Sequence, residues 1–263
     1  MKSIRKYGAV FLISLQNAFQ YRGSVLGGFL FYTLFVFIFF SLWHAIYQSG
    51  SVAGYSLRQV VWYLCITELI VFGAKTDIFA RMNEEVKSGS IAYQLNRPYN
   101  YVFYQFFHAL GGMVFNILCY GLLAIVLGLA MVGPLEKFNL ATAPFVVLSA
   151  LLGLIINFFF LLALGLTAFR LEENLAVFLV YQKLVFMLGM FIPLEFLPDW
   201  LAAAARRLPF PYVAWAPARL AVAFSWDLFL EVFPVQLLWA AVSILFALLM
   251  YRLNVAALQG HGG

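Results

Sequence analysis

Residues 25–47 read VLGGFLFYTLFVFIFFSLWHAIY. The run is rich in Phe and holds no Asp, Glu, Lys or Arg. A bilayer core is about 30 Å thick, so about 20 such residues in a helix cross it. The rest of the chain has the same texture. Of its 263 residues, 65% are hydrophobic and 10% are charged. Soluble domains have about 45–50% apolar and about 25% charged residues. The fold class is therefore an all-α polytopic membrane protein. Most of the length is spent on crossings, which leaves no sizeable soluble domain.

Ahead of this run, residues 2–22 predict an amphipathic helix. Ile4, Gly8, Phe11, Leu15 and Phe19 share one face, while Lys2, Arg5, Lys6, Asn17 and Gln20 lie largely on the other. A basic amphipathic helix beside a span lies in the interface plane. It is either a topology anchor or an elbow helix that passes on motion. Arg22-Gly23-Ser24 is read as the turn into the membrane. No cleavable signal peptide is expected, because no small-residue cleavage site precedes the first long run.

After it, apolar runs predict spans at 57–74, 102–132, 143–169, 175–192 and 228–250, six in all. Tyr99, Tyr101 and Tyr104 mark an interface. Residues 193–217 differ, with five of the nine prolines together with Trp200 and Trp215. They are too broken for a span and too apolar for a loop, and suit two short interfacial or re-entrant helices. A short tail from Tyr251 closes the chain. Six spans put both termini on one side. Ten bases fall on that side and five on the other, so the positive-inside rule makes the terminal side cytoplasmic.

The longest polar passage is Glu84-Glu85-Val86-Lys87-Ser88-Gly89-Ser90-Ile91-Ala92-Tyr93-Gln94-Leu95-Asn96-Arg97-Pro98. Glu84–Lys87 predicts a short helix along the cytoplasmic face, broken at Gly89 and stopped by Pro98. It is either an ordinary solvated loop or a piece that sits in a groove of a soluble partner.

Catalytic chemistry is missing from the sequence. There is no G-x-x-x-x-G-K-[ST] phosphate loop, no H-E-x-x-H and no G-x-S-x-G. His44, His108 and His261 lack metal spacing, and the net charge of +5 comes without a basic nucleic-acid-binding run. Cys65 and Cys119 lie inside apolar runs, where packing outweighs a disulfide. Glu68 and Lys183 are the ionisable residues expected inside spans, and an intramembrane charge is a functional candidate. Glu68 also lies seven residues before Lys75, so it either pairs with it and fixes packing or serves a pathway or gate. Asn116, Asn157 and Gln182 are candidates for interhelical hydrogen bonds. The Phe residues of the spans either face lipid or line a hydrophobic path.

Residues 85–98 resemble the E-I-x-S-G-x-I-A-x-x-L-x-R-P loop of bacterial ABC transporter permeases of the type 2, exporter-like superfamily. The resemblance runs along almost the whole chain. Gly54-Tyr55-Ser56-Leu57 is similar to the start of their second span, and Phe169-Arg170-Leu171-Glu172 to their four–five link. Residues 191–201 and Leu208-Pro209-Phe210-Pro211 resemble their external segment. The ending Gln259-Gly260-His261-Gly262-Gly263 is similar to their terminal Q-G-G, departing at His261 and in one extra Gly.

This resemblance implies the type V exporter fold in the bacterial inner membrane. It also implies two cytoplasmic ABC ATPase subunits and a second permease, identical or paralogous. ATP and Mg are expected on the partner, with no cofactor or enzymatic activity in this chain. The two–three loop becomes a coupling helix whose contacts fall to Glu84, Glu85, Val86, Lys87, Ser88 and Gly89. The segment before the last span becomes an outer gate built from Pro193, Leu197, Pro198, Trp200 and Leu201. An importer is disfavoured. The alternative is a non-transport scaffold or assembly factor on the same fold, and recovery of a bound ATPase separates the two.

Overall fold

The computed structural model describes residues 2–20, 22–50, 54–135, 139–171 and 174–260. Among them every regular element is helical. Lipid offers no partner for backbone N–H and C=O groups, and a helix satisfies its own. Helices α1 (Lys2–Gln20) and α2 (Arg22–Ser49) lead into α3 (Leu57–Gly73), α4 (Ile78–Lys87) and α5 (Ser90–Leu95). Then come α6 (Tyr101–Val132), α7 (Ala143–Leu166, with a 3₁₀ turn at Thr167–Phe169) and α8 (Leu175–Val185). The last runs on as a π turn, Phe186–Met190. Helices α9 (Asp199–Ala205), α10 (Pro211–Val222) and α11 (Trp226–Gly260) complete the chain.

Five helical stretches are long and apolar enough to span a membrane: 25–49, 57–87, 101–132, 143–169 and 226–254. The fifth expected span, 175–192, is instead a 16-residue apolar helix, Leu175–Met190. Its α-helical ladder gives way to i→i+5 bonding, with the Phe191 amide donating to the Phe186 carbonyl at 2.9 Å. Two other expectations change. Arg22-Gly23-Ser24 is helical, not a turn, and the junction at residue 21 lies outside the described residues. The tail continues α11 as far as Gly260, while residues 261–263, with His261, lie outside the described residues.

Helix α7 is central, packed against α11, α10 and α4. Its buried face includes Ile156, Phe158, Leu162, Ala163 and Leu166. Helix α1 lies along α6, where a Cβ on Gly111 would come within 2.7 Å of the Phe11 carbonyl and the Leu15 amide. Small residues at such crossings let backbones approach. Helix α2 is the most peripheral, with Leu26, Leu30, Phe31 and Leu34 exposed. It touches the body through buried Tyr32, whose hydroxyl donates to the Cys65 carbonyl at 2.6 Å.

Side-chain bonds gather at two ends. One end joins Lys6 to Pro98, Tyr7 to Asn100 and Asn254 to Leu166. The other joins Tyr47 to Tyr55, Trp62 to Gly133 and Gln59 to Val222.

The stretch 193–217 holds α9 and the first part of α10, which runs on past the expected bound to Val222. Helix α10 is buried along nearly its whole length. Pro217 has no N–H to give the Val213 carbonyl, which faces Gly153 of α7 so closely that a Cβ there would overlap it. The amide of Gln236 on α11 donates to the carbonyls of Tyr212 and Ser149 at 2.9 and 3.1 Å, and the Ser149 hydroxyl donates back at 2.7 Å. This buried clasp ties α7, α10 and α11 together.

Gly153→Ala is expected to lower stability by about 1–3 kcal/mol, because backbone has to yield. Gly112→Ala on α6, where a Cβ meets nothing within 4 Å, is expected to be neutral or to gain up to about 1 kcal/mol of helix propensity. Thermal unfolding of the two purified variants, followed by size-exclusion chromatography, checks the contrast.

Candidate functional site

The polar passage between the second and third spans forms two helices. Helix α4 starts at Ile78, six residues before the short helix expected from Glu84. Ile78, Phe79 and Met82 are buried, which places α4 on the helical body by one face. A Cβ on Gly165 would lie 2.9 Å from the Met82 Cβ, so the absence of a side chain there makes the seat. Phe79 stacks on Phe178 of α8 with centroids 4.1 Å apart.

Gly89 follows with φ at +71°, the left-handed region that costs other residues about 1–2 kcal/mol. It breaks the two helices apart, as its place in the sequence predicts. Across the break the hydroxyls of Ser88 and Ser90 are 2.9 Å apart. Helix α5 is pinned by Ile91, which is buried in the main core.

The six candidate coupling residues fall into two groups. Glu84, Lys87, Ser88 and Gly89 are exposed, whereas Glu85 and Val86 are half-buried. Glu85 turns inward and accepts the Tyr101 hydroxyl at 2.6 Å. Tyr101 in turn accepts from the buried Gln105 amide at 2.7 Å and stacks on Tyr251 of α11. Glu85 is therefore also an anchor, a role its position in a polar run does not reveal.

Helix α1 reaches the far end of the same passage. The Lys6 ammonium donates to the Pro98 carbonyl at 2.8 Å, and the Tyr7 hydroxyl accepts from the Asn100 amide at 3.0 Å. Its Gly8, Phe11 and Leu15 are partly buried, and Phe19 meets Phe115 at 4.6 Å. The side chain of Ile4 lies outside the described residues.

Glu68 and Lys183 are not brought together. Glu68 is fully buried, and neither carboxylate oxygen has a hydrogen-bond partner among the described residues. Its pairing with Lys75, one of the two expected readings, does not form: Lys75 is exposed beyond the end of α3. Lys183 is exposed on α8 and lines a cavity. Of the polar span residues, Asn157 accepts the Tyr181 hydroxyl at 3.0 Å. Asn116 only approaches the Lys75 carbonyl, at 3.5 Å, and His108 sits 2.8 Å from the Arg81 guanidinium.

At the opposite end, Pro193 is buried, Leu197 and Leu201 are half-buried, and Pro198 and Trp200 are exposed. The hub of this region is Glu195, which the sequence does not single out. It accepts from Arg219 at 3.1 Å, from the Tyr55 hydroxyl at 3.0 Å and from the Trp215 indole at 3.4 Å. Burial and then the Glu195 carboxylate push the Tyr55 hydroxyl above its usual range, which keeps it a donor. Arg219 also covers the Tyr55 ring at 4.9 Å.

A family model described as "ABC-2 family transporter protein" matches residues 30–262. No curated protein matches the chain.

Tyr101→Phe is expected to release Glu85 and leave the buried Gln105 amide unpaired, costing about 1–3 kcal/mol. Amide hydrogen exchange in residues 84–95 then speeds up relative to the parent protein. Unchanged exchange there would remove Glu85 from the anchoring role.

Proposed function

Because this chain belongs to the ABC-2 family of transporter proteins, we propose that it is the permease of an ATP-driven exporter, pushed at α4 by a cytoplasmic ATPase. It is a multi-pass membrane protein. In this reading it crosses the bacterial inner membrane six times, the five long helices being joined by Leu175–Met190. Sixteen residues of helix reach only about 24 Å. Residues 191–210 and α10 cover the remainder from within the protein, as non-spanning backbone at membrane depth must be covered. The two opposed sets of end contacts support this path. Both termini and the α4–α5 passage then face the cytoplasm, where the excess of Lys and Arg belongs.

The observation that carries the proposal is the seating of α4. Its inner face rests on α7, its Phe79 on α8 and its Glu85 on Tyr101 of α6, while Glu84 and Lys87 face outward. A push on the outer face therefore reaches three spans at once. Two ATPase subunits and a second permease, identical or paralogous, complete the transporter. ATP and its Mg belong to the ATPases, and this chain does no hydrolysis. The permease converts closure of the partner into a shift between two packings of the bundle. Helix α1, the elbow, steadies the passage where Lys6 and Tyr7 hold Pro98 and Asn100.

The triple variant Glu84→Gln, Glu85→Gln, Lys87→Gln tests coupling. Gln at 85 keeps an oxygen for Tyr101. Membrane insertion is expected to stay intact, while ATP hydrolysis in proteoliposomes loses its dependence on transport. Normal coupling would sink the assignment.

The α9 region is the outer gate in this reading. A cysteine at Leu201, in a background without Cys65 and Cys119, is expected to change its rate of maleimide labelling when hydrolysis is trapped. An equal rate in both states counts against a gate there.

A further inference from the structure

A cavity of about 380 Å³ lies between α3, α7, α8 and α10. Among the described residues, its charged lining groups are two lysines, Lys75 and Lys183, with no Asp or Glu. Lys183 stands eight residues into α8, about 12 Å from the cytoplasmic end assigned above. Its ammonium makes no ion pair with a described residue. A lysine at membrane depth is costly unless something pairs with it.

The neutral groups lean the same way. The Tyr181 hydroxyl donates to Asn157 Oδ1, which fixes the amide by its oxygen and leaves the Asn157 N–H groups as donors. Gln182 adds another amide at the wall. The remaining wall is apolar, with Phe72 and Phe186 among its residues. Cationic and N–H groups over aromatic rings match a ligand with a negative head and an apolar body. The volume falls near the small end of ligand pockets, about 300–1,000 Å³, which favours a single chain or one ring system.

We propose that this cavity binds a compact anionic amphiphile, its head on Lys183 and the Asn157 amide and its body against Phe72 and Phe186. It rests on the permease reading only in making this ligand the cargo, drawn from the cytoplasmic leaflet. The cavity also touches the coupling element. Lys75 and Thr76 belong to the link between α3 and α4, so movement of α4 alters the wall that meets the ligand.

The test uses the full chain in phosphatidylcholine nanodiscs without nucleotide, with radiolabelled oleate as probe. Oleate is expected to bind about tenfold more tightly than oleylamine or oleyl alcohol, since one charge-assisted hydrogen bond contributes on that order. Lys183→Gln is expected to weaken oleate about tenfold, and Lys183→Arg to stay within about threefold. Asn157→Asp, which keeps the bond to Tyr181 but adds a negative group, is expected to lose oleate and gain oleylamine. Equal affinity for the three amphiphiles, or an unchanged Lys183→Gln, overturns the site. Displacement of oleate by phosphatidylglycerol in the disc assigns the site to a bilayer lipid and overturns the cargo. Recovery of a co-expressed ATPase and its activity in the complex test the permease reading separately, so either can fail alone.

Discussion

The last turn of α7 ends inside protein, and its carbonyls have to find donors there. Thr167 and two asparagines supply them. The Asn174 amide donates to the Leu164 carbonyl at 3.1 Å, and the Asn254 amide donates to the Leu166 carbonyl at 3.1 Å. Each reaches α7 from a different helix, Asn174 from the start of α8 and Asn254 from α11. With these carbonyls satisfied, the helix end becomes a rigid platform. It is this platform that receives Met82 beside Gly165 and the Phe79–Phe178 stack. The seat of α4 is therefore backed by two buried side-chain amides that hydrogen-bond to α7.

Much of the bundle was legible in the chain. The runs at 25–47, 102–132 and 143–169 had to be helices, because nothing else hides so much backbone in lipid. Gly89 was legible as a break, since only glycine takes its φ without strain. What escaped were features set by distant residues. The polar residues Lys75, Asp77 and Arg81 give no sign that Ile78, Phe79 and Met82 beside them form the buried face of α4. Ser149 and Gln236 are 87 residues apart, and a polar residue alone in an apolar run does not announce its partner. Glu195 looked like one more acid in a proline-rich segment until Tyr55, Trp215 and Arg219 converged on it. Glu68 and Lys75 share a helical spacing, but the chain leaves the helix at Gly73 before Lys75 can turn back.

The two ends of the molecule differ in how they are held. The end with Glu195 is joined by charge and aromatic contact, with Phe196 against both Trp43 and Tyr55. The end with α4 spreads its contacts over the Glu85 carboxylate, the Lys6 ammonium, tyrosine hydroxyls and the Phe79–Phe178 stack.

The left-handed turn at Gly89 has one more consequence. A straight rod set in a groove resists being pushed along or across its axis but turns freely about it. Helices α4 and α5 form instead a bent lever with both arms tied down, one by Met82 and the other by Ile91. Under the proposed coupling role, such a lever would transmit torque as well as thrust, so a twist of the partner would become a rotation of the spans beneath.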